Sequence, residues 1–290
     1  EEKFKELDKE GRLLIKSECR GKYYGITHEA LQQVINDGKI PFLILTHTAV
    51  SELEGKGKRE RYAFFTVFLD APDNTLNKRL KQRGEEINEN IRKQRKEDRE
   101  YAKICRYVIN NTDDVDLKDV FHLIYYLWRH RDAGGVLPQK MIKLMIECRM
   151  LLENANLDNI QGASYDLILG DEYYHRGEVK TLDERNTFIV MEPGDYVLAS
   201  SKEIANLPKD IAGRFDLSVG LFCQGVILSN GPQIDPGFKG GLFCLLFNTS
   251  NEKVQLKRGQ HFATIEFVKL IEPTISYAGK YQNKINHKKS

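Results

Sequence analysis

The chain has 290 residues, 41% of them hydrophobic, with 44 basic and 42 acidic side chains giving a formal charge of +2. That length suits two domains, and the near balance of charge gives no global pull toward nucleic acid. No run of about 18 apolar residues and no charged, apolar leader occurs, which argues against a membrane span or signal peptide and predicts a cytoplasmic protein.

In chain order, HEALQQVINDGK (28–39) places Ala30, Leu31, Val34 and Ile35 at helical spacing and stops at Gly38. The apolar run IPFLILT (40–46) then predicts a buried strand. YAFFTVFLDAP (62–72) and KICRYVINNT (103–112) predict two more strands, and LKDVFHLIYYLWRH (117–130) an amphipathic helix. Helices alternating with wholly apolar strands predict a parallel α/β sheet covered on both faces. The charge-dense stretch 77–100 reads either as a solvated helix laced with i,i+4 pairs or as a lid that grips phosphate. It lacks the interleaved aromatics of a nucleic-acid platform and mixes acids with its bases, so nucleic acid is not the expected partner.

GKYYGITHEALQQVINDGK, TVFLDAPDNTLNKRLKQRG and RYVINNTDDVD together resemble guanylate kinases over most of residues 1–130. That family's G-x-x-x-x-G-K-[ST] loop, whose backbone N–H groups cradle a triphosphate, occurs nowhere in the sequence. Ile15 falls where the family reads guanine with a glutamate, and Ile44 and Thr46 fall where it has two aspartates near the acceptor nucleotide. The resemblance leaves Tyr24, Thr27, Arg79, Arg83, Arg92 and Arg95 as candidate phosphate-binding residues, since arginine forks suit that task. Kinase activity is not expected of this chain; a kinase-like scaffold is.

RHRDAGGVLPQK (129–140) combines Gly134, Gly135 and Pro138 with charges, which divides the chain into a domain over 1–131, a linker over 132–140 and a second domain over 141–290. MIKLMIECRMLLENA (141–155) supplies one helix. From Ser164 onward short apolar runs alternate with turn signals: SYDLILG, TFIVMEPGDYVLAS, QGVILSNGP, GLFCLLFN, VQLKRGQHFATIEF. They predict an all-β domain, a sandwich or closed barrel of jelly-roll type. The fold expected of the whole is therefore α/β plus all-β.

GASYDLILG, MEPGDYVLASSKEIANLPKDIAGRF, GPQIDPGFKGGLFCLLFN and LKRGQHFATIEF, in that order, resemble the dCTP deaminase and dUTPase superfamily, and YAGKYQNK (277–284) is similar to the deaminase ending. The resemblance implies a homotrimer that binds a pyrimidine deoxynucleoside triphosphate, with Mg²⁺ accompanying the phosphates, at sites between subunits. It implies Asp235 as the carboxylate that orients water, Phe238 as the sugar-facing aromatic, and Asp166, Arg214, Ser218, Gln233 and Tyr281 as further substrate-binding positions. Asp235 also reads as a turn-capping carboxylate, and Phe238 as core packing. No metal held by the protein is expected: the H-x-E and C-x-x-C signature of zinc-dependent base deaminases is absent, and the five cysteines (Cys19, Cys105, Cys148, Cys223, Cys244) fit buried thiols in a reducing compartment.

Two departures bear on chemistry. Deaminases of this type place a glutamate three residues before the hairpin's closing Asn, and here that residue is Leu245. The serine- and arginine-bearing segment that holds the triphosphate becomes SVGLFCQG (218–225), with no cation. Three outputs follow: a deoxynucleotide-binding protein with weakened or lost catalysis, an active dUTP diphosphatase or dCTP deaminase, or a structural trimerisation module.

Overall fold

The computed structural model describes residues 2–19, 22–60, 64–103, 105–231 and 233–284, with the side chains of 19 and 54–60 outside the description. The first half of the chain contains α1 (Glu2–Lys9), β1 (Leu13–Cys19), β2 (Lys22–Thr27), α2 (His28–Asn36), α3 (His47–Glu60), β3 (Val67–Asp70), α4 (Asp73–Gln82), α5 (Glu89–Ala102), β4 (Tyr107–Asn110) and α6 (Leu117–Arg129). Then follow β5 (Gly135–Val136), α7 (Gln139–Glu147), β6 (Leu151–Glu153), a 3₁₀ turn (Leu157–Asn159), β7 (Tyr165–His175), β8 (Glu178–Thr181) and β9 (Phe188–Met191). The chain continues through β10 (Tyr196–Asn206), β11 (Ile211–Leu217), α8 (Val219–Phe222), β12 (Val226–Ser229), β13 (Lys239–Asn248), β14 (Val254–Lys257) and β15 (His261–Lys269).

Two compact units emerge, one of residues 1–66 with 80–105, the other of 67–79 with 106–290. In the first, β1 and β2 pair antiparallel, with Ser17 opposite Tyr24. Leu14, Ile15, Leu31, Ala49 and Leu53 form its core, with Ile26, Leu43, Leu45 and Phe64 packed against it. The Thr27 hydroxyl caps α2 by accepting from the Ala30 N–H at 3.2 Å. The run 40–46 is not the buried strand its apolarity predicts: it has no ladder partner among the described residues, and Ile40, Phe42 and Ile44 are exposed. Only alternate side chains turn inward, so apolarity there serves one packed side and cannot supply the pairing that defines a sheet. Of the predicted strand over 62–72, only 67–70 is a strand, and residues 62 and 63 lie outside the described residues.

In the second unit β3 and β4 pair in parallel, Val67 opposite Tyr107 through Asp70 opposite Asn110. The parallel α/β character is present, in a small sheet. Helix α6 starts at its cap Asp116, whose side chain accepts from the Lys118 N–H, and buries Val120, Leu123 and Leu127. Each such burial is worth roughly 1.5–3 kcal/mol, far more than an exposed ion pair, and α6 packs this stripe on α7 within the unit. The junction 132–140 is ordered on the sheet: Val136 pairs with Val268, and the Leu137 N–H donates to the Phe267 carbonyl at 2.8 Å.

The helix predicted over 141–155 ends early. Met150 N–H reaches back to the Met145 carbonyl while Arg149 takes φ +61°, a left-handed helix ending that turns the chain into β6. Beyond it the strands form an antiparallel sheet in the order β11-β15-β7-β10-β13-β12, with β5, β6 and β8 attached and β14-β9 paired apart. Along β13 the residues alternate: Leu242, Cys244 and Leu246 are buried, while Phe243, Leu245 and Phe247 are half-buried on the other face. β11, at one end of the strand path, is bridged through Gly213 to Ile234 in the loop that follows β12 at the other end, with hydrogen bonds of 3.0 and 2.7 Å, so the sheet curls back on itself. Cys105, Cys148 and Cys244 are buried and Cys223 is exposed; burial pushes Cys148 and Cys244 up to about 12. Among the described residues no helix is long and apolar enough to cross a membrane.

Candidate functional site

The hairpin after β12 turns on Asp235-Pro236-Gly237-Phe238. The Asp235 carbonyl accepts from the Phe238 N–H at 3.1 Å, with proline at the second place and Gly237 at φ +76°, a type II turn. Gly237 is required twice, because a Cβ there would also lie 2.6 Å from the Ser276 hydroxyl. The Asp235 side chain is half-buried and accepts from Gln233 Nε2 at 3.0 Å; the turn is closed by its carbonyl, not its carboxylate. Phe238 is 8% exposed and meets Tyr277 edge-on at 5.4 Å between ring centroids. Core packing thus occupies Phe238 in this conformation.

The tail folds along this hairpin. Tyr277 N–H donates to the Pro236 carbonyl at 2.9 Å, Gln282 donates to the Gly237 carbonyl and accepts from the Lys239 N–H, and Gly241 N–H donates to the Lys284 carbonyl. Tyr281 lies 5.9 Å from Phe243, ring to ring. A Cβ on Gly240 would sit 2.8 Å from the Lys284 carbonyl, which explains glycine where tail and hairpin cross.

Phe243 and Gly241 also line a groove of about 770 Å³ on the outer face of β7, β8, β10 and β13, within the usual span of small-molecule sites. Its floor is Tyr174, Val179, Leu198 and Phe243, and its polar wall includes Glu172, Ser200, Lys202 and Glu203. A register shift between Ser200 and Ile204 on β10 opens the sheet at this point. Glu203 is 1% exposed and accepts from the Tyr165 hydroxyl at 3.0 Å and the Ile168 N–H at 3.1 Å; burial holds its pKa above the ordinary carboxylate value. Arg258 forks onto Asp171 at 2.8 and 2.7 Å and holds that carboxylate below its ordinary value. Sequence reasoning missed this groove and Glu172 in it, since a strand irregularity leaves no compositional mark.

Leu245 is half-buried and points to the same outer face. It stands opposite Leu198 on one side and Ser229 on the other. The remaining residues of the resemblance set lie toward the other end of the sheet. Asp166 accepts from Thr264 Oγ1 and Gln161 Nε2, both at 2.9 Å. Arg214 is exposed, opposite Glu266, one residue beyond the bridge that ties β11 to the hairpin. Ser218 begins α8, where Val219 and Phe222 are exposed and no cation stands. Among the described residues no group of three or more His, Cys, Asp or Glu could hold a metal ion.

The kinase-like candidates divide between the two units. Tyr24 is exposed on β2, Thr27 is engaged in its cap, Arg83 is exposed, Arg92 pairs with Glu89 at 3.7 Å, and Arg95 is half-buried on α5, all in the first unit. Arg79, in the second, shares Asp113 with Lys78. Ile15 is 1% exposed within the first unit's core, with only hydrocarbon to offer a base. The first unit also holds features that no spacing signalled: His47 Nδ1 lies 2.6 Å from Asp98 Oδ1, and Thr46 Oγ1 lies 3.0 Å from both the Ser17 and Thr48 hydroxyls.

Comparison with known proteins adds family evidence. A family profile described as dCTP deaminase-like matches residues 136–270, and one described as guanylate kinase matches residues 1–125. The dCTP deaminase of Thermococcus gammatolerans is 36% identical over 138 residues, which cover 47% of this chain and 87% of that protein. That of Pyrococcus horikoshii is 34% identical with the same coverage. The dUMP-forming dCTP deaminase of Persephonella marina is 24% identical over 164 residues, covering 51% and 91%.

Proposed function

Because the chain belongs to the dCTP deaminase family through its C-terminal half, behind a guanylate-kinase-type segment, we propose that it binds pyrimidine deoxynucleoside triphosphates with deamination weakened or lost. The observation that carries this reading is Leu245 standing opposite Leu198, which lines the groove. Hydrocarbon there cannot carry the proton that attack of water on C4 of cytosine requires, and losing such a group costs about 10²–10⁴ in rate. The uncharged α8 segment weakens phosphate binding further, because charge-assisted hydrogen bonds are worth roughly 1.5–3 kcal/mol each.

In this reading the hairpin, the groove and Tyr281 hold base and sugar, and Asp166, Arg214 and Ser218 lie toward the phosphates. Mg²⁺ comes as the counter-ion of the triphosphate and is carried by phosphate oxygens. Chains assemble as a homotrimer. The kinase-type segment transfers no phosphoryl group; Tyr24, Thr27, Arg83, Arg92 and Arg95 in the first unit and Arg79 in the second remain separate candidates for phosphate contact.

One observation favours a second reading, an active diphosphatase or deaminase. Glu172 lines the same groove as Lys202, so a carboxylate and a cation share one cavity. Incubation with dCTP or dUTP and Mg²⁺, followed by chromatography, separates the two. The binding reading expects stabilisation in thermal shift with no product. Turnover that disappears in Glu172→Gln or Asp235→Asn would replace it with the enzyme reading, and flat thermal curves for every nucleotide would leave a structural role.

A further inference from the structure

Segments that match different families meet at one buried carboxylate. Asp210, in the turn between β10 and β11, is fully buried, and Tyr107 at the start of β4 is 1% exposed. The Tyr107 hydroxyl donates to Asp210 Oδ2. The other carboxylate oxygen has no hydrogen-bond partner among the described residues. Lys269 adds a nearby positive field, but its ammonium donates to the carbonyls of Arg131 and Ala133 at 3.2 and 2.8 Å. Among the described residues Tyr107 is therefore the side chain that donates to this buried acid, and an acid so placed cannot lose its donor without moving toward water.

The turn that carries Asp210 also carries the hairpin. Leu207 N–H donates to the Phe238 carbonyl at 2.9 Å, and the Pro208 carbonyl accepts from the Gly237 N–H at 3.0 Å. Lys209 and Asp210 carbonyls accept from Thr274 and Leu270 N–H groups at 3.0 and 2.7 Å. Four consecutive residues thus tie the hairpin and the chain leading to the tail to whatever fixes Asp210. All of these contacts lie within the second compact unit.

We propose that Tyr107 is a positioning residue for the hairpin: by fixing Asp210 it sets the 207–210 turn, and through it the Pro236–Phe238 bend. A strand of the kinase-type segment then governs ligand geometry in the deaminase-type half. The ligand part rests on the proposed nucleotide reading; the mechanical link does not.

Hydrogen exchange on the full chain, without nucleotide, reads the link at the Leu207 and Gly237 amides. In Tyr107→Phe both exchange at least about tenfold faster than in the parent. Asp210→Asn, which keeps an acceptor for the phenol, retains most of the protection. Tyr165→Phe takes a comparable hydroxyl from buried Glu203 and leaves the two amides within about twofold. Unchanged amides in folded Tyr107→Phe, or equal acceleration in Tyr165→Phe, would overturn the proposal. Should Tyr107→Phe not fold, the double variant Tyr107→Phe with Asp210→Leu removes donor and acid together, and the same two amides must still accelerate. Thermal shift with dCTP and Mg²⁺ is the separate ligand readout: its failure in the parent, with the amides responding as stated, sinks the nucleotide reading and leaves the link standing.

Discussion

Leu245 on β13 stands directly across from Leu198 on β10, and the row continues through Tyr174 and Val179 on one side and Ser229 on the other. A carboxylate inserted there would face the groove from its β13 wall. Leu245→Glu is expected to cost about 1–3 kcal/mol of stability, because part of the charge is desolvated against hydrocarbon. It is also expected to raise ammonia release from dCTP above the parent's level. A variant that folds, binds dCTP and releases no more ammonia than the parent would show that Leu245 is not what holds deamination back.

The strand pattern of the C-terminal half was legible because burial on one face of a sheet writes a period of two into the residues, as along Leu242 to Phe247. The glycines of the hairpin were legible too, although their cause was not: Gly237 and Gly240 are small because Ser276 and Lys284 pass over them. The β1-β2 hairpin escaped notice because Lys16 and Glu18 cut short the buried run Leu13–Ile15 of β1 and most of β2 is exposed. The Tyr107–Asp210 contact joins residues 103 apart in sequence. Chemistry of that kind is set by tertiary packing, and neither periodicity nor spacing encodes it.

Gly237→Ala combines a left-handed φ of +76° with a Cβ placed 2.6 Å from the Ser276 hydroxyl. The expected loss in urea unfolding is about 1–3 kcal/mol. Ser276→Gly should recover only part of the loss, since it leaves the Cα of residue 276 at 2.9 Å from that Cβ and the backbone penalty in place. Full recovery in the double variant would mean that the backbone conformation contributes nothing.

Asp195 gives a pH dependence with a defined sign. Arg176 reaches both its oxygens, at 3.3 and 2.8 Å, while His175 Nε2 lies 3.2 Å away and the Glu192 N–H donates at 3.2 Å. The Arg176 hydrogen bond is the main reason that its pKa lies below the ordinary carboxylate value. A carboxylate depressed on folding contributes stability above its unfolded pKa of about 3.9, and that contribution disappears as pH falls through the lower folded value. Asp195→Asn should therefore cost no more than about 1 kcal/mol at neutral pH, because the Arg176 partner is solvent-exposed, and the gap from the parent should close as pH drops from about 4 toward 2. A gap that is constant over that range, followed by urea midpoints, would assign the loss to packing and not to charge.

Gln282 tests whether the tail holds the hairpin. Its amide nitrogen donates to the Gly237 carbonyl at 3.0 Å and its amide oxygen accepts from the Lys239 N–H at 3.0 Å, so one side chain satisfies two backbone groups that flank Phe238. Gln282→Ala leaves both partly buried groups unpaired, at an expected cost of about 1–3 kcal/mol. Gln282→Glu keeps the acceptor for Lys239 but sets a carboxylate against the Gly237 carbonyl, two acceptors with no proton between them. That repulsion vanishes when the carboxylate is protonated and can donate. The glutamate variant should thus fall below the parent at pH 7 and regain ground near pH 4, whereas the alanine variant should stay lowered at both. If the two variants show the same pH profile by thermal unfolding, the Gly237 contact is not formed in solution and the tail does not clamp the turn.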